Sequence, residues 1–246
     1  MRTLPADYER FRVGRIEVAA RGELVPLAHD VLRGGTLYDF AKSHPEARAF
    51  GGRQPAYAFP LPRREGWIVV RHNRHGGLLA GLTGDRFLRP TRALRELVVA
   101  HALAVQHVPT PHPLGCVIYP AGPGFARSDV ITRLVTPSRD LAAVLAEGDG
   151  AARAQALEFT ARLVGVLSRA GAHHADLNSK NVLIATEALV LDVDRVQFGW
   201  SPRDALAANL RRLDRSLRKR REQFNEIISD AEIAELARLA ARPQEP

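Results

Sequence analysis

The stretch His173-His174-Ala175-Asp176-Leu177-Asn178-Ser179-Lys180-Asn181 decides how the rest of the chain is read. A histidine stands two residues before Asp176, and Asn181 stands five residues after it. Upstream, Ala151 to Arg169 sets Leu157, Ala161, Val164 and Leu167 on one helical stripe, and Gly171 suits the C′ position where φ is positive. Downstream, Val182-Leu183-Ile184 and Leu189-Val190-Leu191 read as two short strands, and Asp192 closes their hairpin. Helix, polar loop, hairpin and terminal acid form a single pattern.

Further outward, Ser201-Pro202-Arg203-Asp204 has a hydroxyl cap, proline at N1 and an acid at N3, which predicts a helix start. Leu206, Leu210, Leu213, Leu217 and Phe224 are its expected buried stripe, and Ser229-Asp230-Ala231-Glu232 opens a last helix. The first half is instead punctuated by Gly34-Gly35, Gly51-Gly52, Gly66 and Gly76-Gly77. Trp67 to His72, Gly115 to Tyr119 and Val130 to Val135 read as strands. One helix is expected after Pro90-Thr91, with Leu94, Leu97, Val98, His101 and Val105 on a face and Pro109 and Pro111 ending it. The class is therefore α+β and bilobal: a β-rich lobe over residues 1–136 with one embedded helix, and a mostly helical lobe over 137–246, with a cleft between them. The boundary is expected near Thr136-Pro137-Ser138.

Phosphoryl transfer from a nucleotide requires a carboxylate near the acceptor hydroxyl, oxygen ligands for Mg²⁺ and cations or amides on the phosphates. Asp176 is the candidate catalytic base, and Asn181 and Asp192 are the candidate metal ligands. Each residue alone is also an ordinary turn former, and only the whole constellation favours chemistry. Arg71 on its alternating strand and Glu96 on the next helix are the candidate phosphate-fixing pair, or else a plain ion pair. Gly51 and Gly52 either lay backbone amides over the phosphates or make a hairpin turn. No HExxH or Cys/His zinc spacing is present, and Cys116 reads as a small strand residue.

On these residues the chain resembles the protein-kinase-like superfamily, and within it the lipopolysaccharide-core sugar kinases. The run from His174 to Asn178 followed by Asn181 carries the superfamily likeness. Val70-Arg71-His72, Arg74-His75-Gly76-Gly77, Arg139-Asp140-Leu141, Leu191-Asp192-Val193-Asp194-Arg195 and Ala208-Asn209-Leu210-Arg211-Arg212-Leu213 resemble the branch acting on 3-deoxy-D-manno-octulosonic acid (Kdo). The resemblance implies a protein-kinase-like fold with an αC-type helix, and ATP with Mg²⁺ as nucleotide and metal. The implied acceptor is the 4-hydroxyl of Kdo on a lipid A precursor, and the implied place is the cytoplasmic face of the inner membrane. It assigns catalysis to Asp176, the metal to Asn181 and Asp192, and phosphate pairing to Arg71 with Glu96. Arg71 stands where lysine is usual, Ala175 replaces the catalytic-loop arginine, and Asp194 replaces the glycine after the metal aspartate. Only seven residues separate Asp194 from Pro202, which leaves little room for a peptide platform and disfavours a protein substrate.

Composition bounds the alternatives. The 246 residues are 46% hydrophobic and 25% charged, enough for one or two packed cores and too apolar for bulk disorder. Met1 to Asp7 lacks the apolar core of a signal peptide, no run approaches the roughly 20 apolar residues of a spanning helix, and the single cysteine suits a reducing compartment. A formal charge of +8 attracts anionic partners without choosing among them. Eight Lys/Arg against two Asp between Arg203 and Arg221 suggest a peripheral contact with an anionic membrane surface, or simply a solvated helix face. A heptose or aminoglycoside-type small-molecule kinase remains open, as does a pseudokinase or nucleic-acid-binding scaffold. The retained Asp176, Asn181 and Asp192 weigh against a dead enzyme, and 6% aromatic content weighs against a nucleic-acid platform.

Overall fold

The computed structural model describes residues 4–51, 55–62, 65–74, 85–88, 92–224 and 228–242. The chain separates into two compact units, Met1–His101 with His112–Leu134, and Ala102–Pro111 with Val135–Pro246.

The first unit is built on one antiparallel sheet. Its strands are β1 (Tyr8–Val13), β2 (Ile16–Arg21), β3 (Arg48–Phe50), β4 (Ala56–Pro60), β5 (Trp67–His72), β6 (Phe87–Leu88), β7 (Pro113–Pro120) and β8 (Phe125–Arg133). Their spatial order is β1-β2-β7-β8-β5-β4-β3, with β6 on β8. Gly14, at φ +59°, lies in the two-residue turn that joins β1 to β2. Strand alternation sends Val18, Ile68, Val70, Val117 and Ile131 to one face, where they meet α1 (Val25–Val31) and α2 (Leu37–Ser43). Ala19, Cys116 and Val130 take the opposite parity and meet Ala93 and Leu97 of α3 (Arg92–Val105). Phe59 is fully buried on the α2 side, where truncation to alanine typically costs about 3–5 kcal/mol.

Two expectations need correction here. Among the described residues the unit holds three helices where one was expected: α1 starts beside Pro26, and Thr36 caps α2 by accepting from Asp39 N–H at 3.0 Å. The buried face of α3 is also rotated, running through Ala93, Glu96, Leu97, Ala100 and Leu103 while Val105 is 65% exposed. Leu97 is inward as expected, but Ala93, Ala100 and the paired acid Glu96 take inward positions beside it in place of Leu94, Val98 and Val105. The helix stops before the prolines: His107 takes φ 55°, with Val108 N–H on Leu103 O and His107 N–H on Ala104 O. That is a Schellman ending with histidine in the left-handed position.

The second unit centres on α5 (Gly150–Arg169), against which α6 (Pro202–Phe224) and α7 (Asp230–Ala240) pack. Shorter pieces are β9 (Arg139–Asp140), α4 (Leu141–Glu147), β10 (Ala172–His174), β11 (Val182–Ile184), β12 (Ala188–Val190) and β13 (Val196–Phe198). The α5 stripe Leu157, Ala161, Val164 and Leu167 is buried as its spacing predicts. Asp149 caps α5 through Ala152 N–H at 2.8 Å, and Ser229 with Glu232 forms a capping box on α7. Gly165 lets α7 approach, since a Cβ there would lie 2.9 Å from Ala240 O. The face of α6 is rotated by about one position from the expected leucine stripe. Ala205, Ala208, Asn209, Leu213, Ser216 and Leu217 are buried, Leu206 and Leu210 are half-buried, and Phe224 lies outside the described side chains.

Candidate active site

Asp176, Asn181 and Asp192 all belong to the second unit, where hydrogen bonds join their loops. β10 pairs with β13 through His173 opposite Gln197 and His174 opposite Val196, so the chain leaves β10 directly into the motif loop. His174 is fully buried and acts as the loop's brace. Its Nε2–H donates to Leu191 O at 2.9 Å, and its Nδ1 accepts Asp176 N–H at 3.1 Å. Those two roles define the neutral tautomer. Burial pushes the His174 pKa down, against the opposing pull of the Leu191 carbonyl and nearby acids.

Asn181 completes the turn. Its side-chain NH₂ donates to Asp176 O at 2.9 Å, and its backbone carbonyl accepts Leu191 N–H at 2.9 Å. The Asp176 carbonyl accepts only from the NH₂ end of the amide, so Oδ1 is the end of Asn181 suited to a cation. Asp192 follows Leu191 directly and takes φ 53°, a left-handed conformation that aspartate tolerates better than most residues. Asn181 therefore touches the loop of Asp176 on one side and the strand ending at Asp192 on the other. Amide and carboxylate oxygens form the hard donor set Mg²⁺ takes, with nucleotide phosphates normally supplying further ligands. Among the described residues no group of three or more His, Cys, Asp or Glu gathers into a preformed metal cage.

The Asp176 carboxylate is about half exposed and forms an ion pair with Arg212 of α6. One position-turn earlier on the same helix, Asn209 is fully buried. Its Oδ1 accepts His174 N–H at 2.9 Å, and its NH₂ donates to Ala172 O at 3.0 Å and Ser168 Oγ at 3.1 Å. Asn209 thus ties α5, β10 and α6 together directly behind the motif. Neither Arg212 nor Asn209 was given a role by sequence reasoning. The available signal was a polar residue on the inward face of a predicted amphipathic helix, which has to be hydrogen-bonded when buried.

The remaining candidates lie in the first unit. Alternation along β5 buries Ile68 and Val70 toward α1 and α2, so Arg71 faces α3 and forms an ion pair with the buried Glu96. The next residue, His72, bridges two acids, with Nδ1 2.6 Å from Asp129 and Nε2 3.2 Å from Asp85. Asp129 is fully buried and also accepts Tyr119 OH at 2.7 Å and Tyr38 N–H at 3.1 Å. Burial opposes protonation of His72, but hydrogen bonding and charge from Asp129 and Asp85 prevail and raise its pKa. Gly51 sits in the link between β3 and β4 with open space where a Cβ would point, so its own backbone does not demand glycine. Gly52, with the Arg53-Gln54 part of the same turn and the His75-Gly76-Gly77 run, lies outside the described residues.

Fold and motif together define a kinase-like phosphotransferase. The chain belongs to the lipopolysaccharide kinase (Kdo/WaaP) family, whose model matches residues 61–239. It is 33% identical over 178 residues to a 3-deoxy-D-manno-octulosonic acid kinase of Stenotrophomonas maltophilia (strain R551-3), covering 70% of this chain and 69% of that protein. A protein of the same name from Xanthomonas euvesicatoria pv. vesicatoria (strain 85-10) is 29% identical over 194 residues, 76% of each chain. Among solved structures, WaaP in complex with acyl carrier protein superposes with a TM-score of 0.53 at 17% identity, covering 89% of this chain and 87% of that one. That likeness supports the kinase-like fold.

Proposed function

We propose that the protein transfers the γ-phosphate of ATP to the 4-hydroxyl of Kdo on a lipid A precursor. The observation that carries this reading is the linkage of Asp176, Asn181 and the Asp192 strand through one set of short hydrogen bonds. The names of the relatives support the choice of sugar. Asp176 accepts the proton of the acceptor hydroxyl as its oxygen bonds to phosphorus and the bridging oxygen leaves with ADP. Arg212 holds the carboxylate until substrate arrives, and neutral His174 fixes the backbone beneath it. Asn181 and Asp192 would hold Mg²⁺, which when bound would neutralise charge on the phosphates. Arg71, steadied by Glu96, pairs with the α- and β-phosphates, and the backbone at Gly51 and Gly52 covers them. The first unit thus serves as the nucleotide-binding lobe and the second as the catalytic one.

We further propose a peripheral station at the cytoplasmic face of the inner membrane. No helix among the described residues is long and apolar enough to cross a membrane. Arg215 and Lys219 form an exposed i, i+4 pair on α6, suited to anionic headgroups. Arg218 is less available because it pairs with Asp214 and Asp230.

The test is to incubate the protein with ATP, Mg²⁺ and matched acceptors bearing either Kdo or heptose, then determine product mass and the phosphorylated carbon by NMR. The reading expects one phosphate on the 4-oxygen of Kdo. Phosphate on heptose alone, or on another Kdo oxygen, would overturn it.

A further inference from the structure

Beside the motif loop lies an open groove of about 450 Å³, lined among others by Phe198, Trp200, Ser201, Asp204 and Arg211. All of it belongs to the second unit. β13, the strand paired with β10, runs straight into this groove at Phe198. On α6, Arg211 lines the groove while the next residue, Arg212, holds Asp176. The His173 ring lies against Trp200 with 4.5 Å between centroids, and the chain turns at Ala175 and Asp176, so His173 and Asp176, three residues apart, are separated by at most about 10 Å. The groove therefore begins within about two sugar rings of the carboxylate assigned to the acceptor hydroxyl.

The position of Trp200 is fixed by its backbone. Trp200 N–H donates to Gly171 O at 3.1 Å, and a Cβ on Gly171 would stand only 2.8 Å from Trp200 O. Gly171 takes φ +62°, so this contact rests on a residue with no side chain to intervene. The indole is half-buried. Arg211 is exposed and has no hydrogen-bond or ion-pair partner among the described residues, unlike Arg212. Asp204 accepts from Ser201 Oγ at 2.7 Å, which leaves its carboxylate able to accept from further hydroxyls.

An anchored aromatic face, an uncommitted guanidinium and a carboxylate with a neighbouring hydroxyl are the groups that recognise an acidic sugar. We infer that this groove is the acceptor subsite, with Trp200 packed on the C–H face of a sugar ring and Arg211 paired with its anionic substituent. Ser201 and Asp204 take ring hydroxyls. The anion is either a carboxylate on the phosphorylated sugar or a phosphate on the sugar next to it. This assignment rests on the proposed function and specifies how that site selects its acceptor.

The direct test needs no turnover. The chain has two tryptophans, so Trp67→Phe leaves Trp200 as the single indole reporter. Its fluorescence is titrated with free Kdo, with glucose 1-phosphate and with glucose, in the Trp67→Phe protein and again with Arg211→Gln added. The inference expects saturable quenching by at least one anionic sugar, little by glucose, and an apparent Kd raised about tenfold or more by Arg211→Gln. Kdo and glucose 1-phosphate distinguish the carboxylate from the phosphate source. In the kinase assay the same substitution should raise acceptor KM with ATP KM and melting temperature unchanged. Equal quenching by all three sugars, no quenching, or quenching indifferent to Arg211→Gln would overturn the inference. If wild-type protein phosphorylates no Kdo acceptor, the functional reading fails instead, and the titration still reports on the groove.

Discussion

At Asp192 a hard anionic oxygen sits at the end of the strand whose preceding residue is hydrogen-bonded to both His174 and Asn181. Asp192→Ala should weaken Mg²⁺-dependent nucleotide binding and shift the Mg²⁺ requirement of catalysis upward, since few protein ligands hold the metal. Calorimetric titration of nucleotide with and without Mg²⁺ checks this, and unchanged metal dependence would remove Asp192 from the metal site. His72 provides a residue-scale pH prediction. Its folded pKa is raised above the ordinary 6.5, so the stability it supplies is fully present below 6.5 and is lost as pH rises through the folded value. The groups facing it are Asp129 and Asp85, with Arg127 on Asp85, Tyr119 on Asp129 and the Tyr38 ring alongside. Denaturant midpoints from about pH 5 to pH 9 should therefore show the advantage of wild type over His72→Gln shrinking with rising pH. A constant difference would contradict a charged His72 clasp.

Among the elements, α5 and α6 do most to position the motif, and both meet at Gly171 and Trp200. Gly171→Ala must place a side chain at φ +62° and against the Trp200 carbonyl, so a loss of about 2 kcal/mol or more is expected, with altered Trp200 fluorescence. Chemical denaturation and emission spectra measure the two effects, and a neutral substitution would show that the clamp is soft. On the outer face of α6, Arg215→Glu with Lys219→Glu should weaken sedimentation with anionic vesicles, because each cation near such a surface contributes about 1 kcal/mol. Wild-type binding should fall as salt rises past about 0.1 M, and salt-insensitive binding to neutral lipid would refute electrostatic docking. The helix ends were legible in the sequence because capping is local. Ser201 accepts Asp204 N–H at 3.1 Å, Ser229 pairs with Glu232, and Gly171 adopts positive φ, all as their residue types imply. The inward faces were less legible. In α3 and α6 the tertiary contacts select alanines together with Glu96, Asn209 and Ser216, polar groups whose burial depends on distant partners. The helices α1 and α2 span seven residues each, too short for periodicity to separate them from the surrounding turns.

For the whole molecule, the candidate motif was readable before the architecture around it. Asp176, Asn181 and Asp192 follow a spacing tied to local elements, and the structure joins their loops through His174 and Leu191. The Arg71–Glu96 pair was readable as a strand cation and a helix acid, and it forms within the first unit. Asn209 and Arg212 stood in the sequence only within a run that resembles the family, and their contacts, Asn209 behind the loop and Arg212 on the Asp176 carboxylate, were not legible there, nor was the groove around Trp200. Those parts depend on which face of α6 turns inward. The central claim is that Asp176 handles the acceptor proton in a lipopolysaccharide kinase. Its most direct measurement is single-turnover transfer from ATP to a Kdo-bearing lipid A precursor by wild type and Asp176→Asn, with nucleotide affinity and melting temperature measured on the same samples. The account predicts phosphorylated acceptor from wild type and a rate about 10²–10⁴-fold lower in the variant, with nucleotide binding and folding retained. Transfer at near wild-type rate by Asp176→Asn would contradict it.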